Sequence, residues 1–270
     1  MGRTMIEGID VKTFIPAVER DPAVLGGKNA PRILIIVPAY NEQANIRKTL
    51  NEIGALSIRV DAVVIDDGSI DATAHEARSA GARVISLPFN LGIGGAVQTG
   101  FQYAHDNNYD IAVQVDGDGQ HDVAFLSKIL TPVVNGEADM SVGSRFMPNQ
   151  EKGYMSSFTR RIGIGFFVSL IGILTGCHIY DPTSGFRAYN KKMIRLFARH
   201  YPHDFPEPEA IVLARKINAT IKELPVVMRK RQGGASSIRY FKSMYYMMKV
   251  TFAILLDMLK SRKMTARYGD

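Results

Sequence analysis

Apolar runs alternate with helix-periodic stretches along the chain from Arg32 onward. The run Ile33–Val37 is continuously apolar, which is typical of a strand buried on both faces. The same pattern predicts further strands at 60–65, 83–86, 111–115 and 140–142, and helices at 42–54, 71–80, 93–106 and 122–134. This alternation predicts an α/β fold with a mainly parallel sheet flanked by helices. In such sheets ligands bind beyond the carboxyl ends of the strands, so we expect the chemistry just after residues 37, 65 and 115.

The two ends of the chain differ from this alternating region. Residues 1–30 are predicted to be an arm, because prolines and glycines interrupt any long element, and residues 31–237 to be the α/β domain. Residues 238–270 are predicted to be an amphipathic helix and tail. Its apolar positions follow helical spacing: Phe241, Met244, Tyr245, Met248, Phe252, Leu255, Leu256 and Leu259.

Charge changes the interpretation of that last segment. Residues 229–267 contain ten Lys/Arg and one acid, a net +9, which leaves −2 for the rest of a chain whose net charge is +7. Basic residues beside an apolar stripe predict a helix lying on an anionic membrane surface. The alternative is packing on the protein's own core, on a second copy or on a small membrane protein. No nucleic-acid-binding module is recognisable, so nucleic acid is not an expected partner.

A second apolar segment, Ile162–Cys177, covers 16 uncharged residues. A spanning helix needs about 20, so the segment predicts a core or interfacial helix. Cys177 is the single cysteine, which fits a reducing compartment, and residues 1–30 lack the pattern of a secretion signal. We therefore expect a cytoplasmic protein, peripheral on the inner face of the cell membrane.

Polar side chains follow the first two strands. Pro38 is expected to end the first strand, and Asn41 to cap the helix that follows. After the second strand, Asp66 and Asp67 are adjacent carboxylates that are costly at a strand end unless something binds them. They suit ribose hydroxyls or base N–H groups; Asp71 is the residue expected to cap the next helix.

The segment after the fourth strand carries the strongest chemical signal. Asp116 and Asp118 leave the strand end two residues apart, and glycines between them permit close approach to a ligand. Carboxylate oxygens in this spacing suit Mg²⁺ or Mn²⁺ held jointly with phosphate oxygens. An Asp/Gly turn without a ligand is the alternative. Residues 91–97 do not fit a dinucleotide fingerprint, and residues 95–100 do not fit a phosphate loop. The glycines of these residues, Gly100 included, predict a tightly packed helix near this site.

Together these motifs resemble glycosyltransferase family 2, of the GT-A fold, and within it the polyprenyl-phosphate glycosyltransferases that include dolichyl-phosphate mannose synthase. The resemblance covers about residues 32–237 and rests on six motifs in the expected order. They are Val37–Glu42, Asp66–Thr73, Asn90–Ala96, Asp116–His121, Gly143–Phe146 and Asp181–Tyr189.

The resemblance implies a role for each matching position. The nucleotide-sugar pocket would be formed by Pro38, Ala39, Tyr40, Glu42, Asp67, Asp116 and Gly117. The metal ligands would be Asp116, Asp118 and Gln120. Arg145 would contact the donor or acceptor phosphate, and Arg160 and Arg161 would contact the acceptor phosphate. Arg231, in a late Arg-x-x-Gly-x-Ser-like element, would neutralise the departing diphosphate.

Glu209 lies where many family members carry a catalytic acid. It would serve as a base for a hydroxyl acceptor, but a lipid phosphate is already anionic and needs no base, so both interpretations stay open. The implied activity is metal-dependent, inverting transfer of a hexose from a nucleotide sugar, UDP-linked first and GDP-mannose next, to a polyprenyl phosphate. Asp118, Arg145, Glu209 and Arg231 are the candidate catalytic residues. The alternatives are a transferase acting on a sugar hydroxyl, and a non-catalytic nucleotide-sugar-binding scaffold at the membrane.

Overall fold

The computed structural model describes residues 30–147, 158–203, 206–229 and 251–252. The predicted arm, except Ala30, therefore lies outside the described residues. So does the predicted helix of residues 238–260, except for positions 251 and 252, which are helical.

Seven strands and seven α-helices make up the described part of the chain. The strands are β1 (Ile33–Ala39), β2 (Asp61–Asp66), β3 (Arg83–Ser86), β4 (Ile111–Gln114), β5 (Met140–Ser144), β6 (Arg187–Asn190) and β7 (Ile221–Pro225). The helices are α1 (Ile46–Gly54), α2 (Thr73–Ser79), α3 (Gly92–Asp106), α4 (Leu126–Val134), α5 (Phe158–Thr175), α6 (Lys191–Arg199) and α7 (Pro206–Lys216). A short 3₁₀ turn, Val123–Phe125, precedes α4.

The strands form one sheet in the order β3-β2-β1-β4-β6-β5-β7. All neighbours are parallel except β6, which runs antiparallel to both β4 and β5. The predicted mainly parallel α/β sheet is therefore confirmed. Because β6 is reversed, the loop that leads into it lies at the same edge of the sheet as the carboxyl ends of β1, β2, β4 and β5.

Each face of the sheet carries its own hydrophobic core. Leu34 and Ile36 of β1 point to a core shared with α3, α5, α6 and α7, whereas Ile33 and Ile35 point to a core shared with α1, α2 and α4. Gly100 lets α3 lie directly on β1, because a Cβ there would come within 2.2 Å of Ile36 Cγ2. The predicted tight helix packing is confirmed at this position.

Two local predictions after β1 are wrong. Pro38 does not end the strand, which continues to Ala39 beside β2. Strand β4 has already ended opposite Ile36, so that side of the ladder needs no N–H from the proline. Asn41 does not cap α1, which begins at Ile46 with Asn45 at its N-cap.

Asn41 instead shapes the loop. Its φ is 54°, in the left-handed region that asparagine tolerates better than most residues. Its Oδ1 accepts from Ile70 N at 3.0 Å, and its own N–H donates to Ser69 Oγ at 2.9 Å. These bonds join the loop after β1 to the loop after β2.

Candidate active site at the carboxyl ends of the strands

The segment Asp116–His121 leaves β4 and turns back on itself. His121 is buried, stacks on Phe186, and accepts a hydrogen bond from Asp116 N through its Nδ1 at 3.0 Å. Its Nε2 lies 3.6 Å from Asp116 Oδ2, and Gln114 Nε2 donates to Asp116 Oδ1 at 3.0 Å. The Asp116 carboxylate is thus oriented from both sides by neighbouring side chains.

Close backbone contacts fix where this loop lies. Gly117 N donates to Pro38 O at 3.1 Å, and a Cβ at Gly117 would come within 3.1 Å of that same oxygen. A Cβ at Gly185 would come within 3.2 Å of Asp116 Oδ2. Asp118 remains half-buried, and its Oδ1 accepts from Gln120 N at 3.0 Å. The end of β1 and the loop before β6 therefore meet the aspartate loop at Gly117 and Asp116.

Asp67, predicted to line the nucleotide pocket, is buried and holds the start of α3. Its Oδ1 accepts from Leu91 N at 2.7 Å and its Oδ2 from Gly92 N at 2.9 Å. Burial raises the pKa of the Asp67 carboxyl, with help from the neighbouring Asp66 charge, while the two N–H donors oppose the rise. Each carboxylate oxygen can accept a second bond, so anchoring α3 and binding a ligand are compatible.

The other predicted pocket residues lie beside Asp67 at this edge. Pro38, Ala39 and Glu42 are buried, and Tyr40 is 43% exposed. Glu42 N donates to Thr73 Oγ1 at 2.7 Å, and the Glu42 carboxylate accepts from Asn45 Nδ2 at 2.8 Å.

Asp71 was expected to cap the helix after β2. Its Oδ1 accepts from Thr73 N, the first residue of α2, at 2.9 Å, and its Oδ2 accepts from Gln43 N at 3.3 Å. Asp71 therefore holds the start of α2 and also the loop after β1. The polar groups of residues 69–73 therefore mainly join the loop after β2 to the loop after β1.

Arg145 follows β5 and is held by a fully buried carboxylate. Its Nε and Nη2 donate to the two oxygens of Asp181 at 2.6 and 2.8 Å, and Nη2 also donates to Thr183 Oγ1 at 2.8 Å. Burial opposes ionisation of Asp181, but the hydrogen bonds and charge of Arg145 outweigh it and lower the pKa of Asp181. The guanidinium is thereby fixed in orientation with 13% of the side chain exposed.

A second arginine, Arg187, organises the loop between Asp181 and β6. It is completely buried and donates to three carbonyl oxygens. The acceptors are Ser184 O at 2.7 Å, Pro182 O at 2.9 Å and Glu207 O at 2.8 Å. This residue ties the loop to the first turn of α7. The sequence motif contained Arg187 but gave no sign of this role, because its partners are backbone atoms.

The first turn of α7 carries two acidic residues. Glu209, the candidate base for a hydroxyl acceptor, is buried in the first turn of α7. The neighbouring Glu207 carboxyl interacts electrostatically with Arg187, Asp116 and Arg145. Burial raises the pKa of Glu207, Arg187 opposes the rise, and Asp116 adds to it. Glu207, which sequence reasoning did not select, is therefore a carboxyl coupled to the aspartate loop.

Three predicted phosphate contacts cannot be placed at the site. Arg160 and Arg161 lie at the start of α5, but their side chains fall outside the described part of the chain, as does the whole of Arg231. Arg229, counted with the basic terminal segment, is described. It pairs with Glu52 and Asp122, so for this residue the expected anionic partner is the protein's own pair of carboxylates.

The donor set at the end of β4 fits a divalent cation shared with a ligand. Within the described ranges, no group of three or more His, Cys, Asp or Glu side chains is placed to hold a metal ion by itself. Asp116 and Asp118 supply carboxylate oxygens, and Gln120 can add an amide oxygen. Mg²⁺ and Mn²⁺ prefer such oxygen ligands and commonly complete their coordination with phosphate.

Comparison with known proteins identifies the family. The family described as Glycosyl transferase family 2 matches residues 34–197. The chain belongs to glycosyltransferase family 2. The match contains the loops after β1, β2 and β4 and both members of the Arg145–Asp181 pair, and it ends before α7.

Individual relatives of this glycosyltransferase are named as polyprenyl-phosphate transferases. It is 29% identical over 215 residues to a UDP-N-acetylglucosamine–dolichyl-phosphate N-acetylglucosaminyltransferase of Methanococcus voltae, covering 72% of this chain and 84% of that one. It is 30% identical over 218 residues to an undecaprenyl-phosphate mannosyltransferase of Micrococcus luteus, covering 77% and 87%. The resemblance stated from the motifs is confirmed.

A solved structure supports the fold. Glucosyl-3-phosphoglycerate synthase of Mycobacterium tuberculosis, in complex with Mn²⁺, uridine diphosphate and phosphoglyceric acid, superposes with a TM-score of 0.65. Sequence identity is 20%, and the alignment covers 95% of this chain and 85% of that one. The expected GT-A fold of this glycosyltransferase is confirmed.

Proposed function

We propose that this glycosyltransferase moves a hexose from a nucleotide sugar to a polyprenyl phosphate, with inversion at the anomeric carbon. The observation that carries the proposal is the placement of the aspartate loop. Gly117 lies against the end of β1 and Asp116 against Gly185 of the loop before β6, while Asp181 fixes Arg145 at the end of β5. Relatives named as dolichyl-phosphate and undecaprenyl-phosphate transferases support this choice of acceptor.

The proposed reaction is a single displacement. A phosphate oxygen of the lipid attacks the anomeric carbon in line and forms the new C–O bond. The bond from that carbon to the diphosphate oxygen breaks, and its electron pair leaves with the nucleoside diphosphate. Arg145 is suited to contact a phosphate here, because Asp181 holds its guanidinium in one orientation before the ligand arrives. Arg160 and Arg161 are proposed to contact the acceptor phosphate, and Arg231 the diphosphate.

The donor is proposed to be UDP-linked, with GDP-mannose as the next candidate. One relative's name specifies a UDP-sugar donor, and the solved structure similar to this chain contains uridine diphosphate. Two other relatives are named as mannose-transferring enzymes, which keeps GDP-mannose in consideration. Pro38, Ala39, Tyr40, Glu42 and Asp67 are proposed to form the nucleotide pocket.

Asp116, Asp118 and Gln120 are proposed to hold Mg²⁺ or Mn²⁺ together with the donor diphosphate. A bound divalent ion would supply positive charge to stabilise the leaving group. Mn²⁺ in the solved structure similar to this chain supports the proposal. His121 and Gln114 would serve this site by orienting Asp116.

The protein is proposed to work at the inner face of the cell membrane, where a polyprenyl phosphate would be embedded. Among the described helices, none combines the length and apolar character needed to cross a bilayer. Contact with anionic lipid is proposed for segment 238–270 because its basic residues flank an apolar stripe, and a small membrane protein or a second copy of the chain is the alternative partner. Liposomes containing anionic lipid should retain the intact chain and release it when residues 238–270 are deleted.

The central test is transfer by the purified full chain with Mn²⁺ and undecaprenyl phosphate. UDP-glucose, UDP-N-acetylglucosamine and GDP-mannose are supplied separately, and product masses identify the sugar transferred. We expect Asp118→Ala to lower the rate about 100-fold or more, because it removes a proposed ligand of the ion that balances the leaving charge. Failure of every donor in the wild type would favour a binding scaffold, and unchanged activity in Asp118→Ala would contradict the proposed site.

A hydroxyl-bearing sugar acceptor is the second candidate. It is favoured by two acidic residues, Glu207 and Glu209, in the first turn of α7, which Arg187 ties to the loop before β6 through Glu207 O. A hydroxyl needs a general base, whose loss costs about 10²–10⁴-fold in rate, whereas a phosphate acceptor needs none. Glu207→Gln and Glu209→Gln are therefore compared across pH with each acceptor. With the lipid phosphate we expect both variants to keep the wild-type pH profile. A large loss with an altered profile in either variant would favour base catalysis.

A further inference from the structure

The chain leaving β7 lies against the aspartate loop. Val226 N donates to Ser144 O at 3.0 Å, which continues the pairing of β7 with β5. Met228 then forms an antiparallel bridge with His121, and Arg229 N donates to Gln120 O at 2.9 Å. The Gln120–His121 end of the loop is therefore paired with a segment more than a hundred residues later in the sequence.

The Arg229 side chain adds a second connection. Its Nη1 lies 2.8 and 2.7 Å from the two carboxylate oxygens of Glu52, and its Nη2 donates to Asp122 Oδ1 at 2.8 Å. Glu52 belongs to α1, and Asp122 ends the loop and accepts from Ala124 N at the start of the 3₁₀ turn. One guanidinium thus joins α1, the loop and the end of the sheet.

The geometry of the loop explains why such a connection matters. Gly119 has a φ of 72°, and the nearest atom to a Cβ placed there would be Thr49 Oγ1, at 3.7 Å. This half of the loop therefore has little side-chain packing against α1. Its first half is fixed by two hydrogen bonds, one from Gly117 N to Pro38 O and one from Asp116 N to His121 Nδ1. Its second half is held by Arg229, whose N–H donates to Gln120 O.

We propose that Arg229 is a positioning residue of the metal and diphosphate site, fixing Gln120–Asp122 against α1 so that Asp118 and Gln120 face the ligand together. The inference rests on the proposed function of that loop. Arg229 lies beyond the 34–197 family match, and it is one of the ten basic residues counted in 229–267, ahead of the segment 238–270 that is assigned to the membrane. Its two carboxylate partners give it a different role.

Charge and geometry can be separated at this position. Without a cation, Glu52 and Asp122 would place two negative charges beside a site that must accept a diphosphate. Lysine would keep the positive charge but could not reproduce the fork that reaches both carboxylates. We therefore expect Arg229→Lys to retain part of the Mn²⁺ affinity that Arg229 provides, and Arg229→Met to lose it.

The experiment measures Mn²⁺ binding to the full chain in the presence of UDP, by calorimetry. We expect Arg229→Met to weaken binding about tenfold or more, as is usual when a residue supporting metal ligands is removed, with Arg229→Lys intermediate. Lys222→Met is the matched control, because Lys222 lies on β7 in an exposed pair with Glu137 at 2.6 Å. Its Mn²⁺ affinity should equal that of the wild type.

Amide hydrogen exchange of residues 117–122 provides a readout that needs no metal. We expect faster exchange there in Arg229→Met than in the wild type or in Lys222→Met. Glu52→Gln combined with Arg229→Met should weaken Mn²⁺ binding no more than Arg229→Met alone, because residues that act as one unit are not additive.

The outcomes separate the two proposals. If Arg229→Met bound Mn²⁺ with UDP as tightly as the wild type does, the positioning role would be overturned and the proposed function would stand. Additive losses of Mn²⁺ affinity in the double variant would have the same meaning. A wild type that binds no Mn²⁺ with UDP or with GDP would overturn both.

Discussion

Along the edge of the sheet where the site lies, the loops after β1, β2 and β3 are held by backbone N–H groups, whereas the loops around β5 and β6 are held by arginines. We call residues 40–43, 66–73 and 89–92 the amide-held edge, and residues 144–145, 181–187 and 206–209 the arginine-held edge. Asp67 represents the first, with two backbone donors, and Asp181 the second, with Arg145. Both are buried carboxylates.

The difference appears in their titration. Burial raises the pKa of Asp67, because neutral N–H groups offset only part of the cost of burying its charge. For Asp181 the burial cost is also the largest single cause, but a full positive charge and several hydrogen bonds outweigh it and lower the pKa. Ionisation of Asp67 is therefore unfavourable for the folded state at the amide-held edge, whereas ionisation of Asp181 stabilises the arginine-held edge.

The largest expected effect is at the arginine-held edge. Asp181→Asn should lower the free energy of unfolding by about 3 to 5 kcal/mol, because it leaves the Arg145 charge buried without its counter-charge. Urea unfolding of the purified chain at neutral pH measures the change. Lys191→Met is the control, since it breaks an exposed pair with Asp110 and should cost no more than about 1 kcal/mol. Equal losses of unfolding free energy in Asp181→Asn and Lys191→Met would contradict the claim that the buried pair matters more than an exposed one.

The pH dependence of the same variant follows from the lowered pKa of Asp181. Ionised Asp181 stabilises the folded state above its ordinary pKa of 3.8, and this stabilisation is lost as pH falls through the lower folded value. The difference in unfolding free energy between wild type and Asp181→Asn should therefore become smaller at acidic pH. A gap that widens as the pH is lowered would show that the charge of Asp181 is not the stabilising feature.

Asp67→Asn is the matched change at the amide-held edge, and it should cost about 1 to 3 kcal/mol because one N–H donor at the start of α3 loses its acceptor. The pH trend should be opposite to that of Asp181→Asn. A raised folded pKa means that wild type loses stability as pH rises from 3.8 through the folded value, so its advantage over Asp67→Asn shrinks with increasing pH. If the loss of unfolding free energy changed with pH in the same direction for both variants, the proposed difference between the two edges would be wrong.

The amide-held edge was also the more predictable from sequence. Its loops follow apolar runs directly, so the positions of Tyr40 and Asp67 at strand ends could be predicted from periodicity, and β3 was predicted with its observed bounds. The prediction of a parallel α/β sheet followed from the same alternation. The misplaced cap at Asn41 shows the limit, because its true partner, Ile70, is 29 residues away.

The arginine-held edge could not be read from the sequence in this way. Arg145 and Asp181 are 36 residues apart, and outside this edge Arg229 and Glu52 are 177 apart. Local periodicity contains no information about which charges meet across such separations. The reversed strand β6 also interrupts the strand-helix alternation on which the fold prediction depended. The motifs contained Arg145 and residues 181–187 of this edge but not Glu207, and the structure supplied the partners of Arg145 and Arg187.

The smallest expected effect concerns Asn41, which joins two loops of the amide-held edge. Asn41→Gly should cost about 0.5 to 1 kcal/mol, because glycine adopts the left-handed φ of 54° but lacks the side-chain acceptor for Ile70 N. Asn41→Ala loses the same acceptor and also disfavours that backbone conformation, so it should cost about 1 to 2 kcal/mol. Urea unfolding of both variants separates the hydrogen bond from the backbone preference. If Asn41→Ala were no less stable than Asn41→Gly, the loop would not require a left-handed residue, and the hydrogen bond alone would account for asparagine at this position.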